Sequence, residues 1–94
     1  MKIVVKIDEK ILERDFKALA NRRRLAILRL LKRKKRAVVG EIADVIKLSF
    51  KATSKHLNIL YLAGLVDKEQ QSLSVQYFLK SGLREPLLTF INSL

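Results

Sequence analysis

The chain contains no cysteine. No disulfide and no thiolate–metal site can therefore brace it. At 94 residues that absence matters. A chain this short buries only about 60–65% of its unfolded surface, which leaves a second copy of itself as the natural source of further burial. Absence of cysteine is also compatible with a reducing interior. Long apolar runs are missing too, since nothing approaches the roughly 18–20 residues of a membrane span. The N-terminal MKIVVKIDEK has too short an apolar run for a signal peptide and no small-residue cleavage site. The expectation is a soluble cytoplasmic protein with no membrane partner. Catalytic signatures are absent as well: no P-loop, no GxGxxG, no GxSxG. Ser49, Ser54 and His56 are near in sequence, but no third group orients a base. Glu41 and Asp44 share a helix with no sign of acid/base pairing. An enzyme is not expected.

Acidic residues are scarce: 9 against 20 basic ones, a net charge of +11. Residues 1–16 hold four of each sign and residues 56–94 three of each. Residues 17–55 hold thirteen basic and two acidic, so the whole excess lies there. Such a field repels itself and attracts polyanions. A solvated basic surface of the thermophile kind would raise glutamate alongside lysine, which is not seen. The basic residues are not set opposite one apolar face, as a membrane-surface helix requires. Nucleic acid is the partner this pattern points to.

The centre of the chain is residues 41–66, EIADVIKLSFKATSKHLNILYLAGLV. It reads as two helices broken at Lys47-Leu48-Ser49, with Ser49 as N-cap of the second. Lys47 stands where such turns often place glycine; if left-handed, it costs on the order of 1 kcal/mol. The second helix, about Phe50 to Ala63, has two faces. Thr53, His56, Leu57, Leu60 and Gly64 share one; Lys51, Ser54, Lys55 and Asn58 share the other, at i, i+3, i+4 and i+7. The first stripe needs a core. The second has the donors and reach for phosphates and base edges, as in the recognition helix of a helix-turn-helix.

Before this unit, Met1–Ile7 alternates loosely, as a short strand or an extended arm. Asp8 is a fair N-cap for a helix over about 9–20 with Ile11, Leu12, Asp15, Phe16 and Leu19 on one stripe. A core helix and a dimer interface both fit it. Asn21 caps a helix from Arg22 to about Lys34 that is apolar nearly all round, the expected central helix. Arg22, Arg23 and Arg24 in its first turn oppose the macrodipole by about 0.3–1 kcal/mol each. An external phosphate or a nearby acid such as Asp15 would offset them. The run Lys32–Arg36 follows, a solvated helix end or a phosphate-contacting loop, with only loop chemistry after it. A third helix covers about Val39–Ile46.

After the centre, period 3.6 gives way to period 2. Residues 65–69 and 74–79 read as paired strands joined through Gln70-Gln71-Ser72-Leu73, a connection with no glycine, proline or asparagine. A hairpin in this place is a wing. A last helix is expected over about 83–93, with Pro86 in its first turn and Leu83, Leu87, Phe90, Ile91 and Leu94 on one side. It is too apolar to stand alone. The fold class is mainly α with a small β-hairpin: one winged helix-turn-helix domain over 1–94, about five helices, dimeric.

The runs LANRRRLAILRLL, EIADVIKLSFKATSKHL, ILYLAGLV and VQYFL, spanning about Phe16–Leu79, resemble the ArsR-type winged helix-turn-helix repressors. The combination is specific; each piece alone is weak. The resemblance implies a dimer joined by its first and last helices and bound to palindromic operator DNA. It implies that Phe50, Lys51, Ser54 and Lys55 face the major groove. Metal-sensing members carry Cys-x-Cys at the start of the third helix; the matching residues here are Val38 and Gly40. Other members bind zinc through Asp and His of the last helix, which has neither here. His56, the only histidine, matches the family's structural histidine and is too few for a tetrahedral zinc site. No metal and no cofactor are expected, and no effector is identified.

The reading is therefore a sequence-specific, metal-independent, homodimeric regulator of double-stranded DNA. Lys51, Ser54 and Lys55 would read bases or adjacent phosphates, with Ser49 and Asn58 beside them. Phe50 would touch a thymine methyl or cap its own domain. Arg22, Arg23, Arg24, Lys47 and part of 32–36 would hold phosphates; Lys68, Gln70 and Gln71 would contact DNA from a wing short of cations. Ile11, Leu12, Leu83, Leu87, Phe90, Ile91 and Leu94 would form the dimer interface. A nonspecific nucleic-acid-coating protein and a winged-helix protein-interaction module are the competing functions.

Overall fold

Short polar side chains start the first helices. Asp8 accepts from the backbone N–H of Lys10 and begins α1 (Glu9–Leu19). Asn21 accepts from the N–H groups of Arg23 and Arg24, at 2.9 and 3.1 Å, and begins α2 (Arg22–Lys34). The computed structural model describes residues 8–94, so the strand or arm expected over Met1–Ile7 lies outside the described residues. The remaining elements are β1 (Ala37–Val38), α3 (Val39–Ile46), α4 (Phe50–Leu62), β2 (Val66–Gln71), β3 (Ser74–Leu79) and α5 (Leu87–Ser93).

The core gathers around α2, whose Ile27, Leu28, Leu30 and Leu31 are buried. Ile42 and Ile46 of α3, Leu57 and Leu60 of α4, and Leu87 and Ile91 of α5 join the same cluster. Each such side chain contributes about 1.5–3 kcal/mol when fully buried. The two-faced pattern of α4 is met: Thr53, Leu57 and Leu60 are buried, while Lys51, Lys55 and Asn58 are exposed.

Thr53 carries a cost within this core. It is 0% exposed, and its Oγ1 has no hydrogen-bond partner among the described residues. Valine has nearly the same shape without the stranded hydroxyl. T53V is expected to stabilise the domain by about 1–2 kcal/mol, read as a higher urea midpoint. A lower midpoint would show that the hydroxyl is satisfied.

Three boundaries differ from the sequence expectation. Residues 37–38, expected as loop, form strand β1 and pair antiparallel with β3, so the hairpin is part of a three-stranded sheet of order β1-β3-β2. Two residues carry no readable period; only the partner strand defines them. Strand β2 runs on to Gln71, opposite Ser74, so Gln70 and Gln71 are strand residues and the turn is Ser72-Leu73 alone. Ser72 supplies the turn's positive φ, 56°, where glycine is usual. Finally, α5 begins at Leu87, not Leu83. Pro86 is its N-cap, and Leu83 packs on the core from the preceding loop.

Candidate nucleic-acid interface

Backbone hydrogen bonds fix the angle between α3 and α4. The N–H groups of Lys47 and Leu48 both return to the Ala43 carbonyl, and Lys47 is left-handed at φ 55°, ψ 54°. Ser49 Oγ then accepts from Ala52 N–H at 3.1 Å and starts α4. At the far end, Leu65 N–H bonds Leu60 O and Gly64 N–H bonds Tyr61 O, with Gly64 at φ 74°. That paired closure stops α4 and turns the chain into the wing. Between these ends Lys51, Lys55 and Asn58 stand exposed in one row with the half-buried Ser54. Phe50, 63% exposed, sits at the head of the row with its ring free of the core.

Lys47 occupies a left-handed position without being glycine. K47G is expected to raise stability by about 1 kcal/mol in urea unfolding. If the ammonium also holds a phosphate, the same variant loses about one unit of salt slope in DNA binding. A K47G chain no more stable than wild type would remove the strain account.

The three arginines at the head of α2 divide. Arg23 Nη1 donates to the Ile46 carbonyl at 2.7 Å and so caps the C-terminus of α3. Arg24 donates to the carbonyls of Ala18 (2.5 Å) and Lys17 (3.2 Å) at the C-terminus of α1, and to His56 Nδ1 at 3.1 Å. The offset for these two cations is thus internal, made of helix-end carbonyls and not of Asp15. Asp15 instead pairs with Arg14 at 3.1 Å. Only Arg22 of the three is exposed. The basic run divides likewise. Lys34 pairs with Glu41, holding that carboxyl below the usual range with help from Val38 N–H. Arg36 pairs with Glu69 at 3.5 Å and lies over the Phe78 ring at 4.3 Å.

The wing's polar residues turn onto neighbouring groups. Lys68 Nζ sits 4.5 Å over the Tyr61 ring of α4. Gln70 donates to Ser72 O and Gln71 to Glu69, at 3.2 and 3.0 Å. Leu73 is 100% exposed at the tip. The Lys68–Tyr61 contact depends on how β2 lies against α4, and the two glutamine contacts are local, each to a group two residues away.

The family model described as "Bacterial regulatory protein, arsR family" matches residues 21–68, from the cap of α2 into β2. The chain belongs to the arsR family. It is 38% identical over 66 residues to the cadmium resistance transcriptional regulatory protein CadC of Listeria innocua, covering 70% of this chain and 56% of that protein. The chain thus spans little more than half of that relative's length. Among solved structures, reduced HlyU of Vibrio cholerae superposes with a TM-score of 0.78 at 34% identity, covering 92% of this chain and 86% of that one. A homodimeric winged helix-turn-helix DNA-binding domain of Mycobacterium bovis gives 0.76 at 27% identity, covering 97% and 85%. The fold is the winged helix-turn-helix of arsR-family regulators.

The donor set here does not fit the thiolate centre of metal-sensing arsR members. Val38 lies on β1 opposite Gln76, and Gly40 lies in the first turn of α3; neither offers a ligand. Among the described residues no three His, Cys, Asp or Glu gather at one point. His56 faces Arg24. Its imidazole is held below its ordinary pKa, first by burial and then by the charges of Arg24 and Arg23.

The expected dimer residues also divide. Leu87 and Ile91 are buried in the chain's own core, with Leu83, Phe90 and Leu94 packed against it. Ile11 remains 47% exposed and Leu12 half-buried, and Leu88, outside the expected set, is 41% exposed on the outer side of α5. Ile11, Leu12, Leu83, Leu87 and Leu88 line a groove of about 470 Å³ between α1 and the α5 segment.

Proposed function

We propose that this chain is a sequence-specific, double-stranded-DNA-binding transcriptional regulator that works as a homodimer and does not switch through a metal. One observation carries the reading. The row Lys51, Ser54, Lys55 and Asn58 faces outward from a helix whose opposite face, Thr53, Leu57 and Leu60, is wholly buried. Such a helix cannot turn its polar row away, so the row is pre-positioned for a major groove. Lys51, Ser54 and Lys55 read base edges or adjacent phosphates; Lys47 and Arg22 hold backbone. Arg23 and Arg24 serve by fixing α3 and α1 instead. The wing adds shape more than charge.

The dimer joins α1 to the 83–93 segment of a second copy, over the groove where Ile11 and Leu88 stand exposed. The M. bovis domain, itself homodimeric, supports a dimer of this fold; the exposed Ile11 and Leu88 are what favour this face. A cadmium-type switch is not assigned, because the chain has no cysteine and one histidine. The role is binding, not catalysis, and the compartment is the cytoplasm. No described helix is long and apolar enough to cross a membrane.

Selection of bound sequences from random duplex tests the reading. The expected product is a palindrome with half-sites about one helical turn, 34 Å, apart. Retention with no enriched sequence would make this a nonspecific coating protein. No salt-dependent retention at all would make it a protein-interaction module.

A further inference from the structure

Beyond Asn58 the outward side of α4 stops being polar. Leu62, at i+7 from Lys55 and so on the same side, is 67% exposed, and Ile59, nearly one turn before it, is 42% exposed. Neither lines the groove assigned to the second copy. Both line a different groove of about 500 Å³, between α1 and the C-terminal half of α4, together with the buried Ala18 and Ala63. Arg14 of α1 ties its two walls by donating to Ala63 O at 3.1 Å. Small-molecule sites typically measure about 300–1,000 Å³.

The groove carries three cations, Arg14, Lys17 and Arg24, and one acid, Glu13. Arg14 is paired with Asp15 at 3.1 Å, and Lys17 with Glu13 at 3.8 Å. The second pair is exposed on both sides and holds Lys17 weakly. Arg24 has no acid. Its acceptors are the carbonyls of Ala18 and Lys17 and the ring of His56, none of them an anion. Three cations against two carboxylates leave the groove short of one negative charge. Arg24 is half-buried, so its charge is screened less than that of a surface cation. Its three contacts use three of the five N–H groups of a guanidinium, which leaves donors for an anion.

We infer that this groove binds a small monocarboxylate with an apolar tail. The carboxylate takes Arg24 and Lys17, and the tail covers Ile59 and Leu62. Such a ligand touches α1 and α4 at once. The site stands whether or not α4 reads DNA.

His56, the only histidine and a neighbour of Arg24, reports occupancy by NMR. Octanoate, titrated below its micelle range, should move the His56 ring resonances and saturate. Octylamine, with the same tail and the opposite charge, should not. L62A removes most of the apolar contact and should weaken octanoate about tenfold, and K17E should weaken it at least as much. Both positions are exposed, so melting curves of the two variants should match wild type, and L62A should keep the wild-type oligomeric state in sedimentation. Absence of a saturable shift with octanoate overturns the inference, and so does an equal shift with octylamine. Folded L62A and K17E binding octanoate like wild type would also overturn it. A change of oligomeric state in L62A would give the groove to a second copy instead.

Discussion

Changing Lys51 and Lys55 together to alanine is expected to abolish discrimination between selected and random duplex. Both side chains are exposed on α4, whose register is set by the Ser49 cap and the buried Leu57 and Leu60, so the helix keeps its place without them. A cation bidentate to a guanine edge contributes about 1–3 kcal/mol of discrimination; two such losses approach the whole margin of many specific sites. A cation on a phosphate contributes equally to all sequences, and its loss flattens the salt slope by about 0.9. Titrating both duplexes at several salt concentrations separates the two. Selective loss assigns base edges; uniform loss with a slope reduced by about 2 assigns phosphates. A double variant indistinguishable from wild type on both duplexes would take α4 out of the interface.

The second large effect is structural and comes from Arg24. Its guanidinium joins the α1 carbonyls of Ala18 and Lys17 to His56 of α4. Arg24→Ala leaves all three acceptors without this donor. Hydrogen bonds to charged groups contribute about 1.5–3 kcal/mol each, reduced here because water reaches part of the site. A net loss of about 2–3 kcal/mol is expected, a fall in Tm of about 10–20 °C for a domain of this size. Lysine cannot span three acceptors, so R24K should recover less than half. An R24A chain melting with wild type would contradict the bridge.

His56 gives the same site a pH signature. Nδ1 accepts from Arg24, so the folded state favours the neutral ring, and burial and both arginines push its pKa below the ordinary 6.5. The unfolded state therefore binds the proton first as pH falls. The contribution is complete above about 6.5 and is lost as pH drops through the folded value. R24A should show a shallower loss of urea midpoint over that range than wild type, because one of the charges opposing protonation is gone.

How much of this was legible in the sequence differs by element. The residues of α2, α3 and α4 were readable within a residue or so, because all three have an apolar stripe at helical period and α2 and α4 also have polar caps, Asn21 and Ser49. The two faces of α4 were readable for the same reason: a period places every side chain relative to its neighbours. The motif combination that placed the chain among arsR proteins is also local. The wing was readable as a hairpin but not in its register, since Ser72 took the positive φ that glycine usually marks. Strand β1 was not readable at all.

The sequence by itself determined the helices, the outward row on α4 and the confinement of charge to residues 17–55. It also determined the lack of thiolate ligands. Only the tertiary structure decided which cations are free. Arg23, Arg24 and Arg36 look like Arg22, Arg29 and Arg33 in the sequence. They differ because Ile46 O, His56 and Glu69 stand 23, 32 and 33 residues further along and fold back to meet them. It also decided that Leu87 and Ile91 face inward while Leu88 and Ile11 stay out. Local pattern fixes which side of a helix a residue is on. What stands opposite that side depends on chain closure over tens of residues, and no local period encodes it.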